Sequence, residues 1–170
     1  GSVPKEFIPA VEKGVLETAH GGVFAGYELT DCRVTLLDGK HHPVDSSEMA
    51  FKVAAAQALK EAIGSVGGTL LEPVMSITVW TPEDHAGDVV SDLNTKRAKI
   101  HGINPDGEMS VVEAEVPLAE VQRYASDLRS ITQGRGAFTL AFDHYGEVPG
   151  QIAQKVVAEH RKQVEEAHTR

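Results

Sequence analysis

The sequence predicts an α+β chain in which a four-stranded antiparallel sheet is backed by two helices. Short apolar runs that alternate with polar residues are typical of strands, and apolar residues three or four positions apart are typical of helices. Over residues 71–145 these patterns follow the order strand, helix, strand, strand, helix, strand. That order is typical of the split βαβ, ferredoxin-like sandwich. Residues 1–70 and 146–170 lie outside the sandwich and carry further helical patterns.

Residues 1–70 begin with a predicted helix and a predicted strand. Pro4 suits a first helical turn, and apolar residues at helical spacing predict a helix over residues 4–18. Residues 29–37 alternate apolar and polar side chains, which predicts a half-buried strand with Cys32 on its apolar face. The polar stretch that follows contains Gly and Pro, so we expect an exposed loop.

A second helix of this region is predicted over residues 45–63. Asp45 can accept hydrogen bonds from the N–H groups of the first turn, and Glu48 three residues later fits a capping box. Gly64 is a typical residue at the end of a helix. Asp45 is therefore the expected N-cap.

The elements of residues 71–145 are bounded by helix-start, helix-end and turn signals. Acidic residues within 81–84 suit the start of a helix, and Lys96 and Arg97 suit its end, because the helix dipole favours those charges there. An Asp-Gly pair at 106–107 predicts a hairpin turn. We expect strands over residues 74–79, 99–104, 109–116 and 135–145, helices over 81–97 and from 117 to 128, and a last helix over 149–166.

Composition limits the classes of function. The 170 residues include 16 Lys and Arg against 25 Asp and Glu, a formal net charge of -9, which weighs against diffuse binding to polyanions. Aromatic residues make up 5%, too few for a platform that stacks on single-stranded bases. The single cysteine excludes an internal disulfide and fits a reducing compartment. The sequence has no apolar run of about 18 residues and no signal-peptide pattern, so we expect a cytoplasmic chain that does not span a membrane.

No spacing of side chains in the sequence predicts a metal site or an acid/base pair. His41 and His42 are adjacent on a loop, with no His or Cys three or four residues away, so we expect solvated side chains and no metal. Asp88 and Asp92 lie four residues apart on a predicted helix. Such a pair is usually a solvated helix face, although it could imitate a catalytic dyad.

No motif predicts covalent catalysis or nucleotide binding either. Cys32 is expected to be a small buried side chain, and no G-x-S-x-G motif surrounds the serines at 46–47. The glycine-containing stretches at 64–68 and 134–136 lack the Lys-Ser or Lys-Thr pair of a phosphate-binding loop. We therefore expect this chain to have no catalytic residue and no cofactor of its own.

Several blocks of the sequence resemble, in order and without a large gap, the C-terminal part of elongation factor G. The blocks span nearly the whole chain, so the resemblance is specific. They are V-P-K-E-F-I-P-A-V-E-K-G (3–14), V-D-S-S-E-M-A-F-K (44–52), L-E-P-V-M (71–75), T-P-E-D-H-A-G-D-V-V-S-D-L (81–93), E-V-P-L (115–118) and L-R-S-I-T-Q-G-R-G (128–136).

The resemblance implies a division of the chain into three parts. Residues 1–70 would be the second half of domain IV, a partial βαβ unit of ribosomal-protein type, residues 71–145 would be domain V, and residues 146–170 a helix returning to domain IV. The parent protein would be a translational GTPase that binds GTP and Mg²⁺ in an N-terminal domain outside this sequence. This chain would then be a fragment of it.

The resemblance also implies partners and contact residues. The partner would be the ribosome, through the rRNA of both subunits and the tRNA–mRNA pair in the A site, with no DNA, no membrane and a monomeric chain. The loop at the tip of domain IV would contact RNA through Gly39, Lys40, His41, His42, Pro43 and Asp45. Domain V would contact rRNA through Lys96, Arg97, Lys99 and Arg135.

The implied function is promotion of tRNA–mRNA translocation, and two alternatives stay open. Pro43 stands where an acidic residue is common in the family, and His41 stands where an aromatic residue is common. These departures keep open a paralogue that acts in ribosome recycling or ribosome protection. A ferredoxin-like module that binds a protein partner is the alternative from another class.

Overall fold

The computed structural model describes residues 2–168, and it divides into two compact units. The first unit comprises the residues up to Leu70 together with those from Pro149 onward, and the second comprises Leu71–Val148.

The first unit is helical. Its helices are α1 (Ile8–Gly21), preceded by a 3-10 turn at Lys5–Phe7, α2 (Glu48–Val66) and α5 (Gly150–His168). Gly14 lets α1 lie directly against the backbone of α2 at Lys52, where any Cβ would collide.

Two further contacts of the first unit involve α2 and α5. The ring of Phe7 stacks on Phe51 of α2 with ring centroids 4.7 Å apart. The imidazole of His160 in α5 lies on the backbone of Gly26, which has a φ of 75° and no room for a Cβ. Helix α2 therefore packs on α1 and the turn before it, and α5 contacts the irregular segment after α1.

Two predictions for the first unit are wrong. Residues 29–37 form no strand and are largely exposed, with Cys32 exposed as well, because the described part of this unit contains no strand to pair with them. The N-cap of α2 is Ser47 and not Asp45: the Ser47 hydroxyl oxygen accepts the N–H of Ala50 at 3.1 Å. Helix α2 therefore begins three residues later than expected.

The second unit is a ferredoxin-like sandwich, as predicted. Its elements are β1 (Leu71–Pro82), α3 (Ala86–Thr95), β2 (Lys99–Asp106), β3 (Met109–Pro117), α4 (Tyr124–Ile131) and β4 (Ala137–Glu147). The strands lie in the order β2-β3-β1-β4, and each neighbouring pair is antiparallel. The fold class expected from the order of sequence patterns is confirmed.

The core of the second unit lies between one face of the sheet and the two helices. Alternate residues of β1 and β3 point inward, as the two-residue period of a strand requires, so Ile77 faces Ala114 and Val79 faces Val112. Residues of both helices complete this core. Its buried members are Ile77, Val79, Val89, Leu93, Val112, Ala114, Val116, Val121, Tyr124 and Leu128.

Helices α3 and α4 are shorter than predicted. Residues Glu83–His85 and Leu118–Glu120 form 3-10 turns before the α-helices begin. In both cases the turn follows a proline with an extended backbone at the end of a strand, Pro82 or Pro117. A tight 3-10 turn lets the chain leave the sheet and enter the helix within a few residues.

Tyr124 is the largest fully buried side chain of the core and carries an unpaired hydroxyl. Its ring meets Phe138 edge-on at 5.1 Å, and its hydroxyl oxygen has no hydrogen-bond partner among the described residues. Burial, together with the charges of Asp92 and Asp127, raises the pKa of Tyr124 above its ordinary value.

We expect Tyr124→Phe to raise the free energy of unfolding by about 1 kcal/mol, because an unpaired buried hydroxyl costs desolvation energy and the ring packing is retained. Trp80, the only tryptophan, lies in β1, so its fluorescence in urea follows the second unit. Because the pKa of Tyr124 is raised in the folded chain, this side chain ionises first in the unfolded chain, and the parent loses stability as pH rises above about 10. The variant should lose less stability than the parent there.

Tyr145→Phe is the matched control, since Tyr145 is 62% exposed. Its substitution should leave the free energy of unfolding within about 0.5 kcal/mol of the parent value. A loss of stability in Tyr124→Phe would contradict the account of the unpaired hydroxyl.

Candidate functional site

The tip loop (residues 38–47) contains a turn closed by hydrogen bonds between His42 and Ser46. The N–H of Ser46 donates to the His42 carbonyl at 3.1 Å, and the N–H of His42 donates to the Ser46 hydroxyl oxygen at 2.7 Å. Two bonds between the same pair of residues fix the backbone of this turn. The loop therefore holds a defined shape although its side chains are largely exposed.

The imidazole of His42 faces its own turn through one nitrogen. Nδ1 accepts the N–H groups of Val44 and Asp45, both at 3.3 Å, and lies 3.2 Å from a carboxylate oxygen of Asp45. Nδ1 accepts the N–H groups when the ring is neutral and pairs with the carboxylate when the ring is charged. In both forms Nε2 carries a proton, and the side chain is 65% exposed. His42 thus presents an N–H donor outward in either protonation state.

The other tip-loop residues divide into anchored and exposed ones. The ring of His41 lies 5.9 Å from that of Phe7, and the N–H of Gly39 donates to Asp38 at 2.8 Å. Hydrogen bonds from Ser2 and then Gly39 hold the pKa of Asp38 below its ordinary value. The remaining tip-loop residues of the predicted site, Lys40, Pro43 and Asp45, are exposed.

Lys96, one of the four predicted cations of the second unit, is engaged inside the fold. Its ammonium lies 2.8 Å from a carboxylate oxygen of Asp92 and 3.1 Å from one of Asp127, and its side chain is 14% exposed. Burial opposes the charged form, but the hydrogen bonds to Asp92 and Asp127 outweigh it and raise the pKa of Lys96. Lys96 therefore joins α3 to α4.

Arg97 is also engaged inside the fold. Its guanidinium makes two hydrogen bonds with Glu72, of 2.6 and 3.0 Å, and a third of 2.8 Å with Glu120. The hydrogen bonds to Glu72 raise the pKa of Arg97, against an opposing effect of burial, and those to Glu120 raise it further. With a φ of 59°, Arg97 turns the chain sharply after α3 and fastens that corner to the start of β1.

Arg135 and Lys99 are the predicted cations of the second unit that face solvent. Lys99 is exposed at the first residue of β2. Arg135 follows α4, its side chain is 51% exposed, and it contacts His85 at 2.7 Å and Asp84 at 3.6 Å. It borders an open depression of about 620 Å³ lined by Pro82, Glu83, Asp84, Glu108, Met109 and Arg135.

The structure therefore separates residues that the sequence grouped together. Lys96 and Arg97 are neighbours in the chain, but their side chains pair with different carboxylates. His85 is not among the residues predicted from the sequence, and its contact with Arg135 marks it as part of a candidate site. The sequence signal that could have found it is weak: it follows two acidic residues at a helix start.

The described residues were also compared with the requirements of a metal site and of a membrane-spanning helix. Among the described residues no group of three or more His, Cys, Asp and Glu side chains is placed to hold a metal ion. Within residues 2–168 no helix has both the length and the apolar character needed to cross a membrane.

We expect Arg97→Gln to lower the free energy of unfolding of the second unit by about 2 kcal/mol, because it leaves Glu72 and Glu120 without their cation. The Glu72 side chain is only 12% exposed, so water compensates little. Lys99→Gln, a change at an exposed cation two residues away, should cost less than about 0.5 kcal/mol. Equal losses in both variants, measured by Trp80 fluorescence in urea, would contradict this role of Arg97.

Comparison with known proteins identifies the family. Residues 1–66 match the family described as elongation factor G, domain IV, and residues 69–156 match the elongation factor G C-terminus. Elongation factor G of Aquifex pyrophilus is 53% identical over 159 residues, covering 94% of this chain and 23% of that protein. A crystal structure from Thermus thermophilus matches with a TM-score of 0.80 and 42% identity, covering 95% of this chain and 24% of its own.

The chain thus spans about a quarter of the length of these relatives. Both family matches follow one another along the chain without overlap. The chain belongs to the elongation factor G family, and it corresponds to domain IV and the C-terminal region of that translation elongation factor.

Proposed function

We propose that this chain is the ribosome-binding C-terminal region of a factor that promotes tRNA–mRNA translocation during protein synthesis. The observation that carries the proposal is the tip loop, in which a hydrogen-bonded turn presents the Nε2–H of His42 outward. Family membership supports the ribosome as the partner. An exposed N–H donor suits phosphate and base-edge acceptors of RNA, including the tRNA–mRNA pair in the A site.

The action of the tip loop is steric and electrostatic. A loop of fixed shape at the start of α2 can occupy space behind a moving tRNA without forming a covalent bond. Gly39, Lys40 and Pro43 would approach RNA closely, and Asp45 and His41 would support the turn through His42 and Phe7. Closure of the turn between His42 and Ser46 supports this action because it limits the freedom lost on binding.

In the second unit, Arg135 and Lys99 are the residues that we propose to contact rRNA phosphates of the large subunit. Both are accessible to solvent. Lys96 and Arg97 would support this surface from inside, since their charges are compensated by four carboxylates. The net charge of -9 would limit non-specific adhesion to RNA and leave contact to these few residues.

The same proposal includes a longer parent protein that is a GTPase. GTP and Mg²⁺ would bind in a GTPase domain outside this sequence, and rearrangement of the parent would carry the tip loop forward. The chain would act as a monomer in the cytoplasm. The unusual His41 and Pro43 in the tip loop favour, as a second candidate, a paralogue that acts in ribosome recycling or protection.

We expect His42→Ala in the full-length parent to slow translocation about tenfold, because one hydrogen bond to RNA of about 1.4 kcal/mol is lost. Single-turnover translocation on purified ribosomes measures this rate. His20→Ala is the matched control, since His20 is also exposed, at the end of α1, and pairs with Glu28 outside the tip loop. Unchanged translocation and binding in His42→Ala would contradict the proposal, whereas unchanged translocation with impaired subunit splitting would favour the recycling candidate.

We expect the purified 170-residue chain to hydrolyse no GTP, with or without ribosomes, because its sequence has no phosphate-binding loop. Release of labelled phosphate is the measurement, and a mock preparation from cells that lack the chain controls for contaminating GTPases. Turnover that persists after repeated purification and tracks the amount of chain would overturn this prediction.

A further inference from the structure

Arg135 and His85 form a cation–imidazole contact at the edge of the second unit. Nη2 of Arg135 lies 2.7 Å from Nε2 of His85, which is a hydrogen-bond distance. The His85 side chain is only 15% exposed, whereas that of Arg135 is 51% exposed. An almost buried ring therefore holds a guanidinium that reaches into solvent.

The contact with Arg135 determines which nitrogen of the neutral His85 ring carries the proton. A guanidinium has only donors, so Nε2 of His85 must accept, and the neutral ring carries its proton on Nδ1. The carboxylate of Asp84 lies 3.9 Å from Nε2, beyond hydrogen-bond range, so it does not compete with the guanidinium for that nitrogen.

A neutral imidazole affects the charge of Arg135 differently from a carboxylate. The carboxylates of Glu72 and Glu120 compensate the charge of Arg97, whereas a neutral imidazole accepts a hydrogen bond from Arg135 without cancelling its charge. Asp84, which lies 3.6 Å from Arg135, could still compensate that charge in part. The depression beside it is also lined by Glu83 and Glu108, so its floor would repel a phosphate.

We propose that His85 is a positioning residue that holds Arg135 at the rim of the acidic depression and keeps its charge available to a phosphate group of RNA. Nε2 takes one N–H of the guanidinium, and the remaining N–H groups stay free for a phosphate, which the planar fork suits. The inference rests on the proposed rRNA contact of Arg135. It adds that this contact depends on a neutral acceptor at position 85.

The test is a double-mutant cycle on His85 and Arg135. The measured quantity is the affinity of each variant of the chain for purified large ribosomal subunits. His85→Phe removes the acceptor and keeps a ring, and it should weaken binding about tenfold, as should Arg135→Gln. His85→Gln retains an acceptor at a similar reach and should bind within about twofold of the parent, since an amide oxygen can replace Nε2. The double variant His85→Phe with Arg135→Gln should bind no more weakly than Arg135→Gln.

A measurement on the free chain tests the contact without the ribosome. Nitrogen NMR of the neutral His85 ring should show the proton on Nδ1, and Arg135→Gln should remove the shift of Nε2 that the guanidinium causes. His101, which is exposed and pairs with Glu115, is the control ring and should not respond to Arg135→Gln. Unfolding followed by Trp80 fluorescence should show His85→Phe folded as stably as His85→Gln.

Three outcomes would overturn the proposal in distinguishable ways. Additive losses in the double variant, or equal losses in His85→Gln and His85→Phe, would show that His85 does not act through Arg135. A neutral ring protonated on Nε2 would exclude the contact itself. Full affinity in Arg135→Gln would remove the proposed rRNA contact on which the inference rests, even if NMR confirms the contact between the two side chains.

Discussion

Burial of one face of the sheet under α3 and α4 is the constraint on which the second unit depends. Val79 and Val112 on the strands and Tyr124 on α4 are each 0% exposed, so the apolar interior closes completely. Such closure leaves little room for polar groups inside. Lys96, Arg97 and Arg135 follow α3 and α4 in the chain and lie at the rim of the core. The partners that they meet there decide what each cation can do.

The acidic composition of the chain decides which partners these cations meet. In a chain with 25 acidic and 16 basic residues, a cation at the rim usually meets a carboxylate. Lys96 and Arg97 do so, and their ion pairs connect elements of the fold instead of leaving the charges accessible to a phosphate. Arg135 meets a nearly buried imidazole as well as a more distant carboxylate, so it keeps its charge near the surface.

The first unit obeys a different constraint. Its elements approach closely at Gly14 and Gly26, while residues 22–47 form a largely exposed irregular segment between α1 and α2. Hydrogen bonds between His42 and Ser46 supply local order where no strand pairing does. Local side-chain bonds are sufficient to shape an exposed loop.

The sequence by itself determined the sandwich, because the spacing of apolar residues in strands and helices is a local property. The turn signals at Pro residues and at the Asp-Gly pair are local as well. It also determined the family, through blocks that lie in order along the chain. Tertiary structure decided the matters that depend on partners distant in sequence. Residues 29–37 have the alternation of a strand but, among residues 2–168, no strand beside them, so the pattern alone could not form a ladder. The roles of Lys96, Arg97 and Arg135 likewise depend on which groups the fold places within about 3 Å of each charge, and neither spacing nor charge along the chain contains that information.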